Sequence, residues 1–336
     1  MSNIRIARGW EIPERDLTPE SVYLNRRQIL QRLGFAGIGS LAVGLGCGTM
    51  DAGAADEPSD GIPTGNPNAD LYPAALNPKY PLDRALTAEE PTAMYNNYYE
   101  FTAAKAHVWE LAKDFRTRPW QVRVEGLCDR PGTFEVDDLI REFGLEERTY
   151  RHRCVEAWAM AVPWTGFPFS KLAEKVGVKN SATHVSFVTF LDKSQAPGQL
   201  NQHWYPWPYY EGLTMEEAMN ELTFVATGIY GHELPKQNGA PWRMVVPWKY
   251  GFKSAKAMVS IRFTAVRPGT FWNDSVPEEY SFQGNVEPDV PHPRWSQATE
   301  RLIDTDEIVP TQLYNGYGKF VRHLYDRPWP AAEADG

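Results

Sequence analysis

Cysteine is scarce in this chain: 3 among 336 residues. No two of them form a Cys-x-x-Cys pair, which leaves no support for a zinc ribbon or a dithiol redox motif, and no Cys-x-x-Cys-His attaches a haem. No Gly-x-Gly-x-x-Gly sits between a strand pattern and a helix pattern, so a nucleotide fold has no footing. Nothing repeats at a fixed period. Positive charge is in deficit too, with 34 Lys and Arg against 43 Asp and Glu. Residues 1–54 carry one net positive charge, so the remainder is close to −10. That balance argues against a nucleic-acid groove. Residues 33–50 carry no charge, yet they are too glycine-rich for the about 20 predominantly apolar residues of a spanning helix.

What is present is a core-forming composition, 42% hydrophobic and 13% aromatic. At the N-terminus, Asn25-Arg26-Arg27-Gln28-Ile29-Leu30 sets two arginines before the weakly apolar stretch 33–46, and Ala52-Gly53-Ala54 follows as a small-residue cleavage site. This is the pattern of a twin-arginine (Tat) export signal, so residues 1–54 are expected to be removed and the mature chain to reside in the periplasm. Cys47 is not read as a lipoprotein site, because Gly44 stands where such signals prefer leucine. Tat exports folded proteins, and a cofactor inserted before export is a common reason to fold first.

Arg151-His152-Arg153-Cys154-Val155-Glu156-Ala157-Trp158 is the most informative run. A thiol acts as nucleophile or metal ligand only as thiolate, and neighbouring cations favour that form. The run predicts a lowered thiol pKa and a strand over 150–158. It equally fits a small buried hydrophobe, and Cys128 with Cys154 fits one disulfide in an oxidising compartment.

Elsewhere, residues 55–90 are rich in Pro, Asp, Asn and Ala and read as a mobile or wrapping arm. From 91 onward the chain reads as globular. Strands are predicted over 120–126, 183–190, 222–230, 242–246 and 258–266, and helices over 136–143, over 170–176 capped by Ser170, and over 215–220 opened by the capping box Thr214-Met215-Glu216-Glu217. Pro163-Trp164, Tyr205-Pro206-Trp207-Pro208-Tyr209 and Pro247-Trp248 read as rigid loops or lids. Short strands and helices without βαβ alternation indicate an α+β, mainly mixed-β architecture.

Five stretches carry a resemblance: Asn96-Asn97-Tyr98-Tyr99-Glu100-Phe101, residues 151–158, Gln237-Asn238-Gly239-Ala240-Pro241-Trp242-Arg243, Pro247-Trp248-Lys249-Tyr250-Gly251-Phe252-Lys253, and residues 292–301. In this order the chain resembles the sulfite oxidase family of molybdopterin enzymes, and within it the catalytic subunits of periplasmic protein-methionine-sulfoxide reductases. The resemblance implies a sulfite-oxidase-type molybdopterin-binding fold, with a catalytic domain over 91–305 and a tail over 306–336.

It further implies that Cys154 is the catalytic residue and binds molybdenum beside one molybdopterin. Asn96, Tyr99 and Glu100 would hold the pterin, with Thr189 touching the cofactor at a strand end. Asn238, Arg243, Ser254, Ala255 and Lys256 would receive the cofactor and its phosphate, for which Arg, Lys and free backbone N–H groups are the natural partners. Ser254 stands where glycine is expected in relatives, so its backbone contact survives while the loop differs. The implied reaction is oxygen-atom transfer from methionine sulfoxide in oxidised periplasmic proteins. Nothing in the chain resembles a cytochrome b5 domain, so electrons are expected from a membrane haem-binding subunit fed by the quinone pool. Nucleic acid and tight membrane insertion of the mature chain are not expected.

Tyr250, His152 and Glu156 are proton-donor candidates by sequence proximity, with His152 read as facing away from Arg153. Trp248 and Tyr250 near the site would suit a neutral sulfoxide better than sulfite. A sulfite dehydrogenase using the same cofactor is the alternative reaction. An exported binding module with a Cys128–Cys154 disulfide is the alternative of another class.

Overall fold

In the computed structural model, residues 65–325 are described. The export signal with Cys47 and its cleavage site, residues 55–64 of the arm and the tail beyond 325 lie outside them.

Two sheets organise the described chain. One is built from β1 (Gln121–Gly126), β2 (Gly132–Glu135), β5 (His184–Thr189), β6 (Tyr210–Thr214) and β10 (Met258–Thr264), in the order β2-β1-β10-β5-β6. Only β1 and β10 run parallel in it. The other joins β3 (Glu146–Arg153), β4 (Trp158–Pro168), β7 (Phe224–Ile229), β8 (His232–Glu233), β9 (Arg243–Val245), β11 (Thr299–Leu302) and β12 (Ile308–Pro310), with β4 bonded to β3, β7 and β11. The architecture is therefore α+β and mainly mixed β. The alternation of residues 121–125 explains β1, where Val122 and Val124 are buried and their neighbours face outward.

Strand β4 departs from expectation. Pro163-Trp164 reads as loop, yet it lies mid-strand in a segment buried on both faces. Proline lacks the N–H a central strand normally needs. Here Pro163 falls where β4 changes partner: Thr87 takes the N–H and C=O of Ala161, and β7 pairs only from Trp164 onward. A missing donor costs nothing at that gap. The predicted strand 150–158 is likewise corrected, because β3 stops at Arg153 and Cys154–Ala157 form a turn. Cys154 N donates to Trp158 O at 2.9 Å and Ala157 N to Cys154 O at 3.1 Å, with Ala157 at φ +61°.

Helix α1 (Val136–Phe143) buries Val136, Leu139 and Ile140 and stops at Gly144. Helix α2 (Phe169–Val176) starts from Pro168, and no side-chain cap forms, so Ser170 sits within its first turn rather than before it. Helix α3 (Met215–Ala218) has the expected capping box, Glu217 N to Thr214 Oγ1 at 3.2 Å and Thr214 N to Glu217 Oε2 at 3.1 Å.

The described part of the arm lies along this scaffold. Asn77 N donates to Glu147 O and Glu147 N to Ala75 O, both at 2.8 Å, and Tyr72 OH donates to Thr227 Oγ1 at 2.8 Å. At the other end of the chain, β12 pairs with β11 and Val321 is fully buried.

Candidate active site

The turn after β3 delivers Cys154, only 5% exposed, into a cleft. Strand alternation sends the side chains of Arg151 and Arg153 away from it. Arg151 pairs with Asp83. The Arg153 guanidinium is fully buried against Glu300 (3.1 Å) and Gln297 (2.9 Å). The cations next to Cys154 in sequence are therefore committed elsewhere. Burial first, then the Glu156 carboxylate, push the thiol up to about 12, the reverse of the lowering expected from the sequence. A bound metal would hold it as thiolate, since a coordinating thiol loses its proton outright. Both described cysteines are free, so no Cys128–Cys154 disulfide forms.

The sulfur meets one carboxylate, Glu156 Oε2, which accepts from Sγ at 3.6 Å, and two neutral N–H donors. Asn97 Nδ2 donates to Cys154 Sγ at 3.1 Å and to Glu156 Oε2 at 2.9 Å, and Glu156 N donates to Sγ at 3.4 Å. Burial works to raise the Glu156 pKa, but Lys105 at 2.9 Å and Asn97 outweigh it and hold it below the usual carboxylate range.

The cleft collects Asn96, Tyr99, Glu100, Asn238, Arg243 and Ser254 around Cys154, and Lys256 with them. Asn96 and Asn238 both donate through Nδ2 to Thr92 O, at 3.0 and 3.1 Å. Their Oδ1 atoms, and that of Asn97, are buried without a partner. Arg243 is 3% exposed, held by the carbonyl of Asn238 at 2.9 Å and lying 5.0 Å from the Trp164 ring. Among the described residues no carboxylate lies within 4 Å of Arg243 or Lys256. Burial lowers Arg243 to about 10, and burial together with Arg243 lowers Lys256 to about 7. Glu100 is raised by burial to about 7.

Two predicted residues stand behind the cleft. Thr189 donates to Glu100 Oε1 at 3.4 Å, and Ala255 accepts from Met244 N at 2.8 Å. His152 faces away from Arg153, as expected, but the side it faces is the cleft. A Cβ on Gly251 would lie 2.7 Å from its Nε2, so only glycine leaves room there. Burial, then Arg243 and Lys256, hold it neutral. Trp248 is a core residue donating to Tyr325 OH at 2.8 Å, and Tyr250 lines a separate cavity with His292. The aromatic wall is instead Tyr95, Trp158, Trp272 and Tyr280. Asn97 lies inside a recognised block, but nothing in the sequence distinguishes its role from that of Asn96.

A second chamber of about 460 Å³ shares Tyr99, Glu156, Trp158, Trp272 and Tyr280 with the cleft and adds Lys105, Arg294 and Arg301. Each cation there is already paired: Lys105 with Glu156, Arg294 with Glu279 at 2.7 Å and Arg301 with Asp306 at 2.6 Å.

The cleft thus offers a thiol at one point, orphaned amide oxygens along it, and two buried cations with no carboxylate within 4 Å, Lys256 feeling only the more distant Glu100. Burying unpaired cations is expensive, and the arrangement makes sense around an anion. Molybdopterin would fit: the amide oxygens suit ring N–H donors, Arg243 and Lys256 suit a phosphate, and Cys154 suits a metal. Among the described residues no three His, Cys, Asp or Glu converge, as suits a metal that arrives with its own sulfur donors.

This defines a molybdopterin-dependent oxidoreductase, and the family model described as "Oxidoreductase molybdopterin binding domain" matches residues 109–272. The chain is 44% identical over 321 residues, covering 94% of both chains, to the protein-methionine-sulfoxide reductase catalytic subunit MsrP of Burkholderia mallei (strain ATCC 23344). It belongs to that family. A weaker likeness, TM-score 0.39 at 18% identity over 65% of this chain and 60% of the other, is to the sulfane dehydrogenase SoxCD from Paracoccus pantotrophus.

Proposed function

We propose that this chain is the catalytic subunit of a protein-methionine-sulfoxide reductase, acting on oxidised periplasmic proteins. The observation that carries the reading is one buried thiol together with two buried cations that make no salt bridge, Arg243 and Lys256, in a single cleft. Cys154 would hold the metal. Asn96, Tyr99, Glu100 and Asn238 would orient the pterin, and Arg243, Ser254 and Lys256 would take the phosphate, with Thr189 and Ala255 supporting them. Bound there, molybdenum–molybdopterin supplies two-electron oxygen-atom transfer.

The chain's own residues select and place the substrate. The outer chamber has aromatic faces for a thioether-like side chain and N–H donors for a sulfoxide oxygen. Because every cation there already has its carboxylate, the chamber favours a neutral, dipolar substrate over the sulfite dianion of the alternative reaction. Lys105 Nζ and Glu156, at the boundary between the two chambers, are the groups placed to hand over protons. His152 lies deeper in the cleft, and Tyr250 lies outside it.

Export by the Tat signal in residues 1–54 would place the protein in the periplasm, with 55–90 as an arm, 91–305 as the catalytic domain and 306–336 as a tail. Among the described residues no helix is long and apolar enough to cross a membrane. Electrons would come from a membrane haem-binding subunit drawing on the quinone pool.

The test combines metal content with turnover. Mass spectrometry of protein purified from periplasm should find close to one molybdenum per chain. The reduced enzyme should remove one oxygen from an oxidised methionine peptide. Cys154→Ser should fold yet lose far more activity than the about 10–100-fold that follows loss of an outer-sphere partner. A metal-free native protein, or a Cys154→Ser variant with near-native activity, would sink the proposal.

A further inference from the structure

The hydrogen bonds around Cys154 form a directed chain. Lys105 Nζ grips Glu156, Glu156 Oε2 accepts from Asn97 Nδ2 at 2.9 Å, and the same nitrogen donates to Cys154 Sγ at 3.1 Å. Trp158 Nε1 steadies the same carboxylate oxygen at 3.4 Å. An amide is free to flip in principle. With a carboxylate accepting from it, only the nitrogen end can face the sulfur. The Glu156 carboxylate therefore fixes the Asn97 amide orientation, and the same Oε2 accepts from the thiol itself at 3.6 Å. Neither Arg151 nor Arg153 donates to the sulfur, and Arg153 acts on it only through space, as the least of the causes that move the thiol.

Hydrogen bonds to a ligating sulfur withdraw electron density from it, and with nearby charge they set the potential of the metal it binds. We infer that Asn97, held by the Lys105–Glu156 pair, sets the reduction potential of the metal bound by Cys154. This rests on the reading of Cys154 as the molybdenum ligand. Asn97 is a positioning residue: its N–H favours the reduced metal. Lys105 offsets the Glu156 carboxylate, which by itself favours the oxidised one.

The experiment is a potentiometric titration of the purified, metal-loaded enzyme, followed by electron paramagnetic resonance, with molybdenum measured on the same samples. Asn97→Leu, nearly equal in volume, should shift the midpoint to lower potential. Lys105→Met should shift it the same way by a smaller amount, and Lys105→Arg should restore the native value. Unchanged midpoints in loaded Asn97→Leu and Lys105→Met overturn the inference and leave the function standing. Should Asn97→Leu fail to load metal, the lysine pair decides alone: an unmoved midpoint in Lys105→Met overturns it. A native protein without molybdenum overturns the functional reading as well.

Discussion

At the scale of single residues, the cleft holds buried cations that no carboxylate touches, with only Glu100 acting on Lys256 from a distance. Lys256 is the clearest case, lowered to about 7 by burial and Arg243 against an ordinary value of 10.5. Between those values the unfolded chain keeps a proton that the folded, cofactor-free protein has given up. Wherever the unfolded state binds more protons, stability rises with pH. Cofactor-free protein should therefore gain stability from about pH 7 toward pH 10, and Lys256→Met should flatten part of that rise. Loaded protein, with an anion beside Lys256, should not show its share. Thermal melts across this range check the slope; a Lys256→Met profile parallel to the native one would contradict the assignment.

Part of this was legible in the sequence. The recognised blocks supplied Cys154, Asn96, Glu100, Asn238 and Arg243, and the cleft brings them together. What misled was linear proximity. Arg151 and Arg153 flank the cysteine along the chain, but strand geometry turns them toward Asp83 and Glu300, acids 68 and 147 residues away. The aromatic wall was invisible for the same reason, since Tyr95, Trp158 and Trp272 meet only after folding.

At the scale of elements, α3 illustrates how a four-residue helix persists. So short a helix has no stability of its own. Its capping box fixes the first turn, and Glu217 Oε1 also accepts from the buried Lys249 Nζ at 2.5 Å and from the partly buried Tyr325 OH at 2.8 Å. One carboxylate thus serves a local cap and a long-range tie. Thr214→Ala should cost about 1 kcal/mol. Glu217→Gln preserves the box but unpairs a buried lysine, and should cost about 3–5 kcal/mol. Denaturant titration separates the two; equal costs would mean that the tie to Lys249 adds nothing. The box was readable because its signature is local. The β3–β4 turn was not, because Cys154–Ala157 contain none of the usual turn residues and Ala157 adopts a left-handed conformation that favours glycine.

At the scale of the whole molecule, Glu300 joins three distant stretches. It accepts from Arg84 at 2.7 Å and from Arg153 at 3.1 Å, so arm, cysteine strand and C-terminal strand meet at one carboxylate. Glu300→Ala should cost about 3–5 kcal/mol, because it strands buried guanidinium charge. It should also lower molybdenum content, because Arg153 anchors the strand that ends at Cys154. Calorimetry and metal analysis on the same preparation test both. Full metal content in a destabilised variant would separate the anchor from the cleft.

The turn bearing Cys154 has a second fastening, from Trp295 Nε1 and Gln297 Nε2 to Val155 O at 2.8 and 2.7 Å. The order of synthesis gives this a meaning. Once residue 256 has left the ribosome, every group assigned to the cofactor already exists. The clamps that hold the metal-bearing loop still do not, because they lie some forty residues further on. A nascent or truncated chain would own all the ligands and yet lack a rigid seat for them. A chain cut short before Trp295 is therefore expected to take up less molybdenum than one that carries Trp295 and Gln297.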